Sequence, residues 1–351
     1  MKSIDSKIIS LLRFPMIVGI VMIHSGITIR NIDNYYIYDY LVVKSIIGTF
    51  TRLCVPLFFF ISGYLFGINC ITTYARKLKK RVRSLFLPYI FYCTLAIILF
   101  VVLSFIKPEF QTGPTPPVRS WNFWVFLSMY WDMGNGLPIV PQFWFIRNLM
   151  VFILFSPIIY WMVKKLNIFP LLILGILWIV NIGEYSIPGT MCLFWASLGG
   201  YFGINNTSIS DIVEKNKLLG YFYPLLALID ILTKNMEFNI YIHNLGIVSG
   251  LIFLWYLIMR FSYYHSEYSP NEFLLSSTFF VFAMHEPYAG KIKSIFWKIF
   301  PELSTVQTVA DIQLVIYYFL WVIIWTTVLI LTFGFVRKIS PKFAVFLSGG
   351  R

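Results

Sequence analysis

The most constraining feature of the sequence is an apolar run over residues 8–29, IISLLRFPMIVGIVMIHSGITI. About 20 apolar residues are enough to cross a bilayer as a helix, so this run predicts a transmembrane span. Arg13 and His24 are separated by three helical turns plus about 20°, so both side chains leave one face about 16 Å apart along the axis. Ionisable side chains within a span face a polar interior, which makes this face a candidate channel or active site. In the alternative interpretation, Arg13 reaches the nearer headgroups and His24 hydrogen-bonds a neighbouring helix.

The rest of the chain has the same membrane character. Hydrophobic residues make up 58% of the chain and charged residues 12%, whereas soluble domains are about 25% charged. This composition excludes an ordinary soluble protein and predicts an all-α polytopic membrane bundle, a single integral membrane domain over residues 1–351. About ten transmembrane helices are predicted, at residues 8–29, 46–67, 84–106, 142–163, 168–183, 189–204, 217–233, 240–261, 273–290 and 312–336.

The basic residues are distributed as expected for a membrane topology, and they do not indicate a nucleic-acid partner. The formal net charge is +13, and most of the 28 Lys and Arg fall on one side if the N-terminus is cytoplasmic. Because Lys and Arg concentrate in cytoplasmic loops, both termini are expected in the cytoplasm and no nucleic acid is expected. The segment 68–83 is the most basic part of the chain. Lys291, Lys293 and Lys298 are the main exception, since they follow the ninth span on the outer side.

The sequence predicts neither a structural metal nor disulfides. The four cysteines form no CxxC motif and no cluster with histidine. His243 and His265 have no evident partner in the sequence, and we interpret both as structural.

The longest external connection covers residues 107–141. It contains six prolines, so it cannot be helical throughout. Its aromatic segment SWNFWVFLSMYW (120–131) suits either the membrane interface or a lid folded over the mouth of the bundle. Both interpretations stay open at this stage.

Four further segments accompany the Arg13/His24 pair: VPLFFFISGYL (55–65), KKRVRSLFLPY (79–89), WFIRNL (144–149) and FAMHEP (282–287). The first contains Ser62 followed by Gly63, small residues that let helices approach closely. The order and spacing of these segments along nearly the whole chain resemble acyltransferase family 3. That family comprises membrane enzymes that move acyl groups, commonly acetyl, onto extracytoplasmic acceptors, often sugars of envelope polysaccharides.

The resemblance implies roles for individual residues. His24 takes the position of the catalytic base and Arg13 that of the preceding arginine. The family's Arg-x-x-Arg motif, linked to the acyl donor, has Arg81 at its first position but Ser84 at its second, and Asn148 stands where many relatives have an acid. The implied donor-binding residues are Arg81, Ser84 and Lys80. The implied acceptor-side residues are Trp144, Arg147, Asn148, His285 and Glu286.

Depth along the predicted spans agrees with a site that has two different ends. His24, His285 and Arg147 each lie about five residues from the outer end of a span, or roughly 7–8 Å below the interface. Arg13 and the basic segment lie at the opposite end, where cations suit the phosphates of coenzyme A.

We therefore expect an acyl-CoA-dependent O-acetyltransferase of the bacterial cytoplasmic membrane. Acetyl-CoA would be a substrate rather than a bound cofactor, and the acceptor would be a carbohydrate or lipid-linked glycan. The alternative is a multispan transporter that exports a glycan or small anion. The absence of a repeat between the chain halves counts against it.

Overall fold

A computed structural model describes residues 3–25, 45–68, 70–106, 117–286 and 306–350, together with Ile292, Lys293, Phe296, Ile299 and Ser304. No residue in these ranges lies in a strand, and most are helical, so the all-α prediction is confirmed. The helices are α1 (Ser3–His24), α2 (Cys54–Gly67), α3 (Cys70–Arg81), α4 (Leu87–Ile106), α5 (Phe123–Met129), α6 (Trp144–Leu166), α7 (Phe169–Ile179), α8 (Thr190–Ile204), α9 (Ile209–Lys215), α10 (Lys217–Tyr221), α11 (Tyr223–Leu232), α12 (Asn239–Tyr264), α13 (Glu272–Met284), α14 (Gln307–Ile339) and α15 (Pro341–Leu347).

The multi-pass membrane architecture is confirmed, whereas the count of ten spans is not. Within the described residues, six helical stretches are long and apolar enough to cross a membrane: Ile4–His24, Ser45–Gly67, Thr73–Ile106, Pro141–Leu166, Asn239–Tyr264 and Thr308–Ile339. The fifth, sixth and ninth predicted spans correspond to the shorter apolar helices α7, α8 and α13. The seventh is split into α10 and α11 at Phe222, just before Pro224, whose ring removes a backbone donor.

Helices α2 and α8 approach so closely that their backbones touch. A Cβ atom added to Gly63 would lie 1.9 Å from the carbonyl oxygen of Ala196, and one added to Gly199 would lie 2.0 Å from that of Phe60. Neither distance leaves room for a side chain. The close helix approach predicted from Ser62 and Gly63 is therefore confirmed, and α8 is the partner.

Helix α1 runs through the centre of the bundle, against α2, α12, α13 and α14. Its first turns are anchored by polar contacts. The carboxylate of Asp5 is fully buried and accepts hydrogen bonds from the backbone N–H of Ser210 at 3.0 Å and of Ile209 at 3.2 Å, at the start of α9. Lys7 donates to the carbonyl of His265 at 3.0 Å. These contacts fix the position of α1, and with it the direction of the face that carries Arg13 and His24.

Candidate active site

The face of α1 that carries Arg13 and His24 borders a small cavity. Ile17 and Ile20 lie between them at spacings of four, three and four residues, so all four side chains share one stripe of the helix. Both isoleucines are buried and line a cavity of about 70 Å³. The other lining residues come from α2, α6, α13 and the α3–α4 junction: Phe58, Ser62, Arg81, Leu85, Phe145, Ile146, Leu149, Thr278, Phe279 and Phe282.

At one end of this face the structure brings His24 and His285 together. Their ring centroids are 5.1 Å apart, with the ring planes inclined by 58°. His285 is buried, and its Nδ1 donates to the carbonyl oxygen of Phe282 at 2.7 Å, since a carbonyl can only accept. In the neutral ring, Nε2 then carries a lone pair, and it has no hydrogen-bond partner within the described parts of the chain. The pair therefore presents imidazole nitrogen that is free to take a proton.

The turn that carries His285 is held in place by two other side chains. The buried amide of Gln142 donates to the carbonyl oxygens of Ala283 at 3.0 Å and Glu286 at 2.7 Å, beyond the last turn of α13. The indole of Trp325 donates to the carbonyl of His285 at 3.2 Å. These bonds satisfy carbonyls that the end of a helix leaves open, so they hold the backbone of the turn from which the His285 side chain projects. The carboxylate of Glu286 interacts electrostatically with Lys293.

At the other end of the face, Arg13 and Arg81 lie close enough for their charges to repel each other. The ion pairs between described residues use other cations, Lys217, Lys234 and His243, so neither guanidinium has an acidic partner among them. Two positive charges that have no acidic partner among the described residues are costly within a membrane protein. This end of the face is therefore suited to an anion.

Arg81 stands apart from the other cations of the basic segment. The side chains of Arg76, Lys79, Lys80 and Arg83 are exposed. Lys77 donates to the carbonyls at the end of α2, including that of Phe66 at 2.7 Å. Arg81 is the member of this segment that lines the cavity.

Ser84 and Lys80, which the resemblance implies at the donor site, do not line the cavity. Ser84 lies instead beneath the turn after α15. A Cβ atom on Gly349 would be 2.5 Å from the Ser84 carbonyl oxygen, and Gly349 has φ +69°. The hydroxyl of Tyr92 donates to the carbonyl of Leu347 at 3.0 Å and ties the same turn to α4.

The external loop is docked onto the bundle over the part that is described, residues 117–140. Arg147 is buried, and its guanidinium donates to the carbonyls of Trp131 and of Gly136, the latter at 2.9 Å. The outer face of the loop exposes large aromatic side chains, including Phe123 and Trp124. The loop thus covers the bundle on one side and presents an apolar surface on the other, which combines features of both interpretations.

The three acceptor-side residues expected at the start of α6, Arg147, Asn148 and Trp144, each have a different environment. The Arg147 side chain is used to hold the loop, and its guanidinium also lies 5.6 Å from the centre of the Trp131 ring. Asn148 is buried, and its Oδ1 has no partner among the described residues. Trp144 is half-buried, with its ring 6.1 Å from that of Phe59.

A second buried polar cluster escaped the sequence analysis. Asp230 on α11 accepts hydrogen bonds from Thr49 at 2.6 Å, from His243 Nδ1 at 2.9 Å, from Asn239 at 2.9 Å and from Lys234 at 3.1 Å. His243 therefore has a partner that its sequence position did not reveal. An aspartate in an apolar stretch needs such partners, so Asp230 with Lys234 four residues later was the available signal.

A larger cleft of about 530 Å³ opens elsewhere on the molecule. Its walls come from Tyr64 and Ile68 at the end of α2 and from the segment 205–215. None of the catalytic, donor-binding or acceptor-side residues that the resemblance implies lines this cleft. The candidate active site is therefore the smaller cavity, which Arg81 lines.

Comparison with known proteins identifies the family of the chain. A family model described as an acyltransferase domain, Acyl_transf_3, matches residues 6–336. No curated protein and no solved structure matches the chain. The match includes both ends of the α1 face, the α3–α4 junction and the turn of His285. The chain belongs to acyltransferase family 3 and is a multi-pass membrane acyltransferase.

Proposed function

We propose that the protein is an O-acyltransferase that moves an acyl group, in the first instance acetyl, from acyl-CoA to a hydroxyl of a cell-envelope or exported carbohydrate. The bacterial cytoplasmic membrane is the proposed location, with donor on the inside and acceptor on the outside. The observation that carries the proposal is the α1 face. It has two guanidiniums without an acidic partner among the described residues at one end, two adjacent imidazoles at the other and a small cavity between them.

The imidazole end supplies the base. Neutral His24 takes the proton of the acceptor hydroxyl, and the hydroxyl oxygen attacks the thioester carbonyl. The tetrahedral intermediate then breaks its C–S bond, and the thiolate of coenzyme A receives the proton from His24. His285 assists because its Nδ1 is committed to Phe282, which leaves its Nε2 as an acceptor beside the His24 ring. General-base catalysis of this kind contributes about 10²–10⁴-fold to a rate.

The guanidinium end attracts the donor. Coenzyme A is a polyanion, and an arginine can bind phosphate in a bidentate manner or stabilise a developing oxyanion. The exposed cations of α3 draw the anion towards the membrane surface, and Arg81 with Arg13 meets it at the cavity. The negative charge of the donor offsets the repulsion between the Arg13 and Arg81 guanidiniums. Relief of this repulsion therefore favours donor binding.

The direct test supplies radiolabelled acetyl-CoA to the purified protein together with envelope glycans from a strain that lacks the gene. Expected results are release of free coenzyme A thiol and an acetyl-sized mass gain on one glycan. Glycans from strains with and without the gene should differ by the same mass. A transporter would release no thiol and add no mass, and that outcome would overturn the proposal.

A further inference from the structure

The cavity beside Ile17 and Ile20 lies where the donor and acceptor halves of the site must meet. Ile17 is one turn beyond Arg13, and Ile20 is one turn before His24, so the cavity is about 6 Å from each residue along α1. On α13, Thr278 and Phe282 share a stripe with His285 at spacings of four and three residues. The Phe282 ring, which lines the cavity, has its centroid 5.9 Å from that of His285.

The size of the cavity matches a small acyl group. An engineered apolar cavity of about 150 Å³ takes up benzene, which has six heavy atoms. By that measure, a cavity of about 70 Å³ holds roughly three heavy atoms. An acetyl group has three: a methyl carbon, a carbonyl carbon and an oxygen.

The walls leave little room for a longer chain. Leu149, Ile20 and Phe282 are 2%, 5% and 6% exposed, so each is packed on its far side by other residues. Close-packed interiors yield little to one extra methylene. The polar lining atoms come from Arg81, Ser62 and Thr278, which suits a carbonyl oxygen at the margin of an apolar space.

We propose that this cavity is the chamber that receives the acyl group of the donor, and that Leu149 and Ile20 set the upper limit of its chain length near acetyl. The inference rests on the proposed function and deepens it, because it assigns the acyl specificity to two residues that do not take part in the chemistry. A different assignment, a passage for the pantetheine arm, would make these residues matter equally for every acyl chain.

The test compares acetyl-CoA with butyryl-CoA as donors, using membranes that contain the full-length protein and the envelope glycans. The readouts are thiol release and the mass added to the glycan. Leu149→Ala enlarges the chamber, and Ile20→Val enlarges it by one methyl group. Leu329→Ala is the matched control, because Leu329 is a buried leucine of α14 that does not line the cavity.

The measured quantity is the ratio of kcat/KM for butyryl to that for acetyl, in which the amount of folded protein cancels. One methylene in an apolar pocket is worth about 10- to 200-fold in kcat/KM. The ratio should therefore rise at least about 10-fold in Leu149→Ala, less in Ile20→Val, and not in Leu329→Ala.

Equal ratios in all four proteins, with normal acetyl transfer by the wild type, would overturn the chamber and leave the proposed function in place. An equal change of kcat/KM for both donors would indicate the pantetheine passage and would also overturn the chamber. No transfer from any acyl-CoA by the wild type would overturn both proposals.

Discussion

Arg81 offers a sharp test of the donor site, because its neighbour on α3 is a natural control. Arg81 lines the small cavity beside α1, whereas Lys80, one residue earlier, is exposed. Arg81→Ala should remove a charge-assisted contact to the donor, and Lys80→Ala should remove only a surface charge.

The magnitude follows from the surroundings of each side chain. A hydrogen bond to a charged group is worth about 1.5–3 kcal/mol, which corresponds to about 10- to 150-fold in Kd. An exposed ion pair contributes about 0–1 kcal/mol, or less than about fivefold. Arg81→Ala also removes one of two like charges that repel each other, so the unliganded protein should be no less stable than the wild type.

The assay measures the affinity of detergent-purified protein for acetyl-CoA by thermal shift or calorimetry, and the folded fraction is measured in parallel. Arg81→Ala should weaken donor binding at least about 10-fold with unchanged folded yield, since a hydrogen bond to a charged group contributes that much. Wild-type donor affinity in Arg81→Ala, or an equal loss in Lys80→Ala, would refute the assignment of the donor site.

Three further predictions concern pH, packing and the second polar cluster. The transfer rate should fall once the medium is acid enough to protonate His24, because a general base must be neutral to accept a proton; an identical acid limb in a His24→Gln variant with residual activity would exclude His24 as its source. Gly63→Ala should lower the free energy of unfolding by about 3 kcal/mol or more, the upper end of the range for overpacking, and with it the folded yield in detergent, because the added Cβ would lie 1.9 Å from a backbone oxygen; wild-type thermal stability would contradict the close α2–α8 contact. Asp230→Ala should destabilise the protein by about 3–5 kcal/mol and Thr49→Val by about 1 kcal/mol, because the first removes a buried carboxylate that accepts from four side chains and the second removes one hydrogen bond; equal thermal stabilities would contradict this hierarchy.

The sequence predicted elements better where hydropathy alone determines them. Long apolar runs such as 84–106 and 240–261 became helices of membrane-crossing length, because a backbone in a bilayer must satisfy its own hydrogen bonds. The run 217–233 has the hydropathy of a span, but Pro224 interrupts it. Whether a proline kinks a helix or ends it depends on neighbouring helices, which hydropathy does not describe.

In the candidate site, too, the sequence predicts the depth of a residue in the membrane but not its contacts with neighbouring helices. The rise of a helix places His24 and His285 at one depth, yet only tertiary packing of α1 against α13 brings their rings to 5.1 Å. The sequence also does not show which side chain of a basic run faces the interior. Arg81 lines the cavity, whereas Lys80 is exposed. Arg147 was expected on the acceptor side. Its guanidinium donates to the carbonyl of Gly136 in the external loop, and a loop without regular periodicity gives no sequence signal for such a contact.

The central claim is that His24 is the base of the transfer, and the most direct measurement is glycan acetylation per folded molecule in His24→Ala. Acetylation in cells and folded yield in detergent are measured on the same pair of proteins. The account predicts a loss of about 10²–10⁴-fold in transfer with a nearly normal folded yield. A structural histidine would give the reverse pattern, a lower yield with near-normal turnover per folded molecule. Normal acetylation by the His24→Ala protein would contradict the mechanism.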